Sequence, residues 1–149
     1  MNAIDMIKSG LAGMESGQPG KLAEILSDDM VFAGPVPEPV GRREFLGLQT
    51  ALVAAMPDWK FNAADFKQKG EQVTAYFQIT GTQTGDLSLP MPGFQKFPAS
   101  GKHVSLPREA ITITLKNGKV SRLESSPVPG GGVMGVLSQI GAPVPPMQH

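Results

Sequence analysis

The stretch from His103 to Ser126 constrains this chain more than any other. Residues 103–115 form a long β-type run, Asn117-Gly118 follows, and residues 119–126 return as a second run. Asn-Gly between two such runs is the preferred two-residue type I′ turn. Both of its central residues need a positive φ, and that geometry matches the twist of the flanking strands. A turn of this length fixes the pairing: Lys116 faces Lys119, Leu115 faces Val120, Ile113 faces Arg122, Ile111 faces Glu124 and Glu109 faces Ser126. One face of the hairpin then carries Glu109, Ile111, Ile113, Leu115, Val120, Arg122 and Glu124, and its apolar centre directs it to the interior. The other carries Arg108, Ala110, Thr112, Thr114, Ser121, Leu123 and Ser125.

Upstream the period is helical. Ile4, Ile7, Leu11 and Met14 make the stripe of an amphipathic helix, which Gly17-Gln-Pro-Gly20 stops. Pro19 opens a short second helix with Leu22, Ile25 and Leu26, and a short strand follows at 30–33. Residues 34–40 form a proline-rich loop. Phe45, Leu48, Leu52, Val53 and Met56 return to helical spacing over 42–56, and Pro57 ends that helix. The period then falls to two. Residues 60–68 read as a strand with a bulge at Ala63-Ala64, and 72–83 as a long strand with Val73, Ala75, Phe77 and Ile79 on one face. Residues 85–101 form a long loop whose Leu89, Met91, Phe94 and Phe97 favour a packed lid. A short helix at 133–140 precedes a proline-rich tail from about 141. Helices first and an antiparallel meander afterwards make an α+β domain, and 149 residues suit a single one spanning 1–149.

Composition excludes several classes of function. There is no cysteine, which removes thiol catalysis, cysteine metal sites and a disulfide scaffold, and which suits a reducing compartment. Two histidines, His103 and His149, make a tight transition-metal site an unfavoured reading, so no metal is expected. Thirteen basic residues balance thirteen acidic ones, and charged residues are 17% of the chain, which excludes binding driven by nucleic-acid phosphates. The sparse charge also hints that a second subunit covers part of the surface. No window reaches the ~18 apolar residues of a membrane span, and the N-terminus lacks the core of a signal peptide. The expectation is a soluble cytoplasmic protein. Gly130-Gly131-Gly132 is a hinge or a tight packing point, because no Lys-Ser/Thr follows it as in a phosphate loop.

The acids inside strands hold the chemical interest. On the register above, Glu109 and Glu124 are diagonal neighbours at roughly 7–8 Å. A carboxylate on a half-apolar wall loses hydration, which favours its neutral form, and a second one nearby adds to the effect. Such a group is suited to general acid or base work near neutral pH. The competing reading has no chemistry: Glu124 pairs with Arg122, and Glu109 with Arg108. His103 shares the strand parity of Glu109 and is either a proton shuttle at a pocket mouth or a surface residue. Trp59 is core or pocket lining.

Several segments, in order, carry a resemblance: Leu26-Ser-Asp-Asp-Met-Val-Phe32, Gly41-Arg-Arg-Glu-Phe45, Met56-Pro-Asp-Trp59, Gly81-Thr-Gln-Thr-Gly85, Asn117-Gly-Lys-Val120 and Leu137-Ser-Gln-Ile-Gly141. Over residues 22–141 the chain resembles the nuclear-transport-factor-2-like superfamily, and within it the SnoaL-like polyketide cyclases. The resemblance implies a cone: a strongly curved, antiparallel-rich sheet wrapped on three N-terminal helices around one apolar pocket. It also implies a homodimer and a ring-closing aldol step without metal or cofactor, driven by an acid on the last strand with a histidine near it. Here the family's Gly-Thr-His reads Gly81-Thr82-Gln83, the strand histidine falls near Ile111, and the last-strand acid falls near Glu124 or Ser125. The Asp that usually precedes the C-terminal segment is replaced by Val128-Pro129-Gly130.

The expectations are therefore these. A cofactor-free cyclase, isomerase or related lyase would act on a small carbonyl or polyketide-like compound, with Glu109 or Glu124 as the acid/base and Gln83 or His103 bonding a developing enolate oxygen. Trp59, Phe77, Gln83, Ile111 and Ile113 would line the pocket. The alternatives are a non-catalytic binder of a small apolar ligand and a dimeric scaffold whose cone is filled by side chains.

Overall fold

Asn2 starts the first helix, α1 (Ala3–Glu15), by accepting the Asp5 N–H at 2.8 Å on its side chain. Ile7, Leu11 and Met14 bury one side of α1, as their spacing predicts. Pro19 is at the first turn of α2 (Pro19–Ala23), where its missing N–H costs nothing. The third helix, α3 (Arg42–Ala55), begins with the Glu44 carboxylate accepting the Gly41 N–H at 3.1 Å and ends before Pro57. It buries Phe45, Leu48, Gln49 and Leu52.

The strands, in chain order, are β1 (Leu26–Ala33), β2 (Val40–Gly41), β3 (Ala64–Lys69), β4 (Gln72–Phe77), β5 (Thr80–Thr82), β6 (Leu87–Ser88), β7 (Lys96–Phe97), β8 (His103–Ser105), β9 (Glu109–Lys116) and β10 (Lys119–Ser125). A fourth helix, α4 (Gly132–Gln139), follows. The computed structural model describes residues 2–34, 39–88, 96–126 and 128–141, with the backbone alone at 132–134. Leu89, Met91 and Phe94 of the expected lid, residues 35–38 of the proline-rich loop, and the tail beyond 141 with His149 lie outside the described residues.

Six strands form the main sheet in the order β2-β1-β10-β9-β4-β3. All its pairings are antiparallel except one, because β1 runs parallel to β10. The last strand is thus inserted between the first and the rest of the meander. Inward residues of this sheet and of the helices merge in one hydrophobic core that includes Leu11, Met14, Leu48, Trp59, Val73, Ile113, Val120 and Leu137. Among the described residues no helix is long and apolar enough to cross a membrane.

Several segment boundaries differ from expectation. β1 is eight residues rather than four, since Ser27-Asp28-Asp29 stays in the strand while its pairing with β10 shifts between Leu26 and Val31. The strand expected at 60–68 begins at Ala64, and Lys60 makes only an isolated bridge to Thr80. The expected run 72–83 breaks at Gln78-Ile79 into β4 and β5, and 103–115 breaks at residues 106–108 into β8 and β9. Pro107 supplies the second break, having no N–H for a ladder. β5 and β8 form a separate two-stranded sheet, as do β6 and β7.

The hairpin turn is as its sequence dictates: Asn117 has φ 54° and Gly118 φ 78°. The register beyond it is not. Val120 faces Leu115, but Arg122 faces Thr114, so Ser121 is an extra residue in β10, and its hydroxyl donates to the Thr114 carbonyl at 3.2 Å. Leu123 then faces Ile113, Glu124 faces Thr112 and Ser125 faces Ile111. One inserted residue exchanges the two faces of β10. Leu123 and Ser125 turn inward, while Arg122 and Glu124 turn to solvent.

Candidate functional site

The inward faces of α3, β4, β9 and β10 line a cavity of about 60 Å³. That is room for roughly four waters, where one needs about 10–15 Å³. Its wall is mostly aromatic and aliphatic. Phe32 and Phe45 meet with ring centres 4.6 Å apart, and Phe61 meets Trp59 edge to face at 5.8 Å and Phe77 at 5.5 Å. A second hollow of about 150 Å³ shares Leu11 and Phe61 with it and carries Lys8 and Glu15.

Against this wall stand Glu109, Ser125, Gln49 and the Trp59 indole. Glu109 is 3% exposed, opens β9 and faces Phe77 of β4. Ser125 is 2% exposed, and its hydroxyl donates to Glu109 Oε1 at 3.4 Å. Gly131, the residue that caps α4, is close to the same carboxyl oxygen. A Cβ there would stand 2.9 Å from Glu109 Oε1 and 2.8 Å from Val128 Cγ2. The glycine lets the start of α4 approach the carboxyl closely, and the N-terminal end of a helix favours negative charge. The packing role expected for the Gly130–Gly132 run is thus performed at Gly131, against an acidic side chain.

The structure places Glu109, Trp59, Phe77 and Ile111 on the cavity. It does not bring Glu124 there. Because of the bulge at Ser121, Glu124 is exposed and pairs with Arg122 at 3.1 Å, the alternative that the sequence had left open. The partner expected for Glu109 in that reading, Arg108, bonds Asp65 instead and lies over the Tyr76 ring at 3.9 Å. His103 is exposed on β8, where its Nδ1 is 3.1 Å from Thr82 Oγ1, and it does not border the cavity. Gln83 is fully buried but turns away from the cavity. Its amide donates to the carbonyls of Phe97 and Pro98 and accepts the Ser100 N–H at 3.1 Å, so it fastens residues 97–100 to the end of β5. Ile113 is core rather than lining, one pair further along β9 than the cavity reaches.

Sequence reasoning missed Gln49, Phe61 and the inward position of Ser125. Gln49 falls one residue after Leu48 on the apolar stripe of α3, and its position at helical spacing between Phe45 and Leu52 was the available signal. Trp59 Nε1 and Gln49 Oε1 are both buried and make no hydrogen bond to the described residues. Among the described residues there is no group of three or more His, Cys, Asp and Glu side chains suited to a metal ion.

Asp58, next to Trp59, ties the end of α3 to β5. The Thr82 N–H donates to its carboxylate at 2.6 Å and holds its pKa below the ordinary 3.8. In the same way the Ala99 N–H holds the Asp86 carboxyl low. A lowered folded pKa means that the ionised form favours the fold. Its contribution is complete above about pH 4 and is lost as the pH falls through the folded value. Asp58→Asn should therefore be less stable than the parent at neutral pH, with the difference shrinking on acidification. Urea midpoints measured for both proteins across the acid range test this, and a difference independent of pH would contradict it.

No curated protein matches the sequence significantly. Solved structures match its fold. A protein from Jannaschia sp. CCS1, provisionally named a SnoaL-like polyketide cyclase, superposes with a TM-score of 0.70 at 18% identity, over 95% of this chain and 93% of that one. AclR from Streptomyces galilaeus, provisionally named a hydroxylase, gives 0.70 at 17% identity over 93% and 95%. An LEH-like epoxide hydrolase from M. tuberculosis gives 0.65 at 12% identity over 93% and 91%. A family model described as the SnoaL-like domain matches residues 8–123. With the α+β architecture and that match in agreement, the chain belongs to the SnoaL-like family, within the nuclear-transport-factor-2-like superfamily.

Proposed function

We propose that this SnoaL-like chain binds a small, mainly apolar carbonyl compound in the cavity and moves a proton on it with the Glu109 carboxyl, without a cofactor. The observation that supports this reading is the placement of one buried carboxyl on a mostly apolar wall. As carboxylate, Glu109 takes a proton from the carbon beside the carbonyl; as carboxylic acid, it returns the proton to carbon or oxygen after ring closure or isomerisation. Ser125 and the glycine at 131 fix where the carboxyl stands. The proton-transfer role is assigned to neither Glu124 nor His103, because both side chains face solvent. The names of fold relatives, a cyclase, a hydroxylase and an epoxide hydrolase, agree with small-molecule chemistry in such a cone.

The test does not need the natural substrate. A base that enolises a bound ketone exchanges the protons beside its carbonyl with D₂O, which NMR follows directly. Butanone and cyclopentanone should exchange faster in the presence of the protein, and Glu109→Gln should lower the enhancement about a hundred- to ten-thousand-fold. Equal exchange by the parent and by a folded Glu109→Gln variant would remove Glu109 from the mechanism. Binding of the ketones with no exchange in either protein would leave a ligand carrier.

A further inference from the structure

We infer that the cavity recognises a small molecule bearing two oxygen functions, one accepting the Trp59 indole N–H and one donating to the Gln49 amide oxygen, as in a hydroxyketone. This rests on the proposed use of the cavity and names the substrate class for it. Trp59 is 2% exposed and Gln49 6%, both border the cavity, and Nε1 of one and Oε1 of the other make no hydrogen bond to the described residues. Leaving a buried donor or acceptor without a protein partner is costly, and native interiors hold few of them. Two on one wall, of opposite hydrogen-bonding sense and sharing the cavity with Glu109, make a complementary pair for a ligand. A purely apolar ligand would cover both and satisfy neither. A ligand oxygen held by the Trp59 N–H gains most when negative charge grows on it, as it does on the oxygen of an enolate. Gln83 and His103, expected in that role, are engaged elsewhere.

The chain has one tryptophan, so its fluorescence reports this wall alone. The probes are acetoin, which has a hydroxyl beside its carbonyl, and butanone, which lacks it. Acetoin should bind about tenfold tighter than butanone and shift the emission as the indole N–H gains a partner. Gln49→Leu should bring the two affinities together. Trp59→Phe, followed by ligand-observed NMR, should weaken both about tenfold and keep their ratio. Equal binding of acetoin and butanone to the parent, an unchanged preference in Gln49→Leu, or no binding of either probe would overturn the inference. Repeating the titrations with Glu109→Gln separates this inference from the proposed function. A preference that persists while exchange no longer depends on Glu109 overturns the proton-transfer reading alone. Exchange that depends on Glu109 with no preference overturns the recognition alone.

Discussion

Gly34→Ala should lower stability by at least ~3 kcal/mol, most of it from a collision between backbones. Gly34 follows β1 at φ 104°, and a Cβ built on it would lie 1.9 Å from the carbonyl oxygen of Ser125. The obstacle is main chain of the neighbouring strand, which cannot swing aside as a side-chain tip can. Either β1 parts from the end of β10 or Ser125 moves, and Ser125 is part of the cavity wall. At roughly 2–4 °C per kcal/mol for a chain of this size, the melting temperature should fall by about 6 °C or more. Gly118→Ala is the control. It also has a positive φ, 78°, but no atom within 4 Å of the added carbon, so only the left-handed conformation is charged to it, about 1–2 kcal/mol. Thermal melts of the two variants decide the matter: equal losses would mean that the close approach at Gly34 is relieved at little cost.

Trp59→Ala is expected to be as damaging, for a different reason. The indole is among the largest fully buried side chains, meets Phe61 edge to face and borders the cavity. Removing it subtracts its burial and enlarges a space that the surrounding rings cannot close, a loss of about 3–5 kcal/mol. Against a total stability of roughly 5–15 kcal/mol, this leaves a chain near its unfolding threshold. Trp59→Phe keeps most of the packing and removes the N–H, so it should cost much less in a urea melt while weakening ligand binding. If both variants lost the same stability, the indole's bulk would not be what holds this wall together.

Where residues act through their near neighbours, the sequence was legible. The stripe Ile7, Leu11 and Met14, the stop at Gly17, Pro19 at the start of α2 and the Asn117-Gly118 turn all stand where their spacing places them, because φ preference and hydrophobic period act within a few residues. The ordered segments from Leu26 to Gly141 sufficed for the family, and the alternation of Glu109, Ile111, Ile113 and Leu115 sufficed to turn Glu109 inward. The second acid was lost to one residue. Strict alternation after the turn turns Arg122 and Glu124 inward and Leu123 outward, and that mismatch was the available signal of a bulge at Ser121.

What the tertiary structure alone decided is which side chains meet. Local sequence sets each strand's two faces, but a bulge is chosen by what the opposite strand and the core accept. Burying Leu123 and releasing two charges outweighs one interrupted ladder position. Gln83 was placed by its bonds to residues fourteen or more positions away. Gln49, Trp59, Ser125 and Glu109 come from four separate segments, and no period or motif links them. Closure of the sheet on its helices brings them to one cavity, since only there do their inward faces share a common interior.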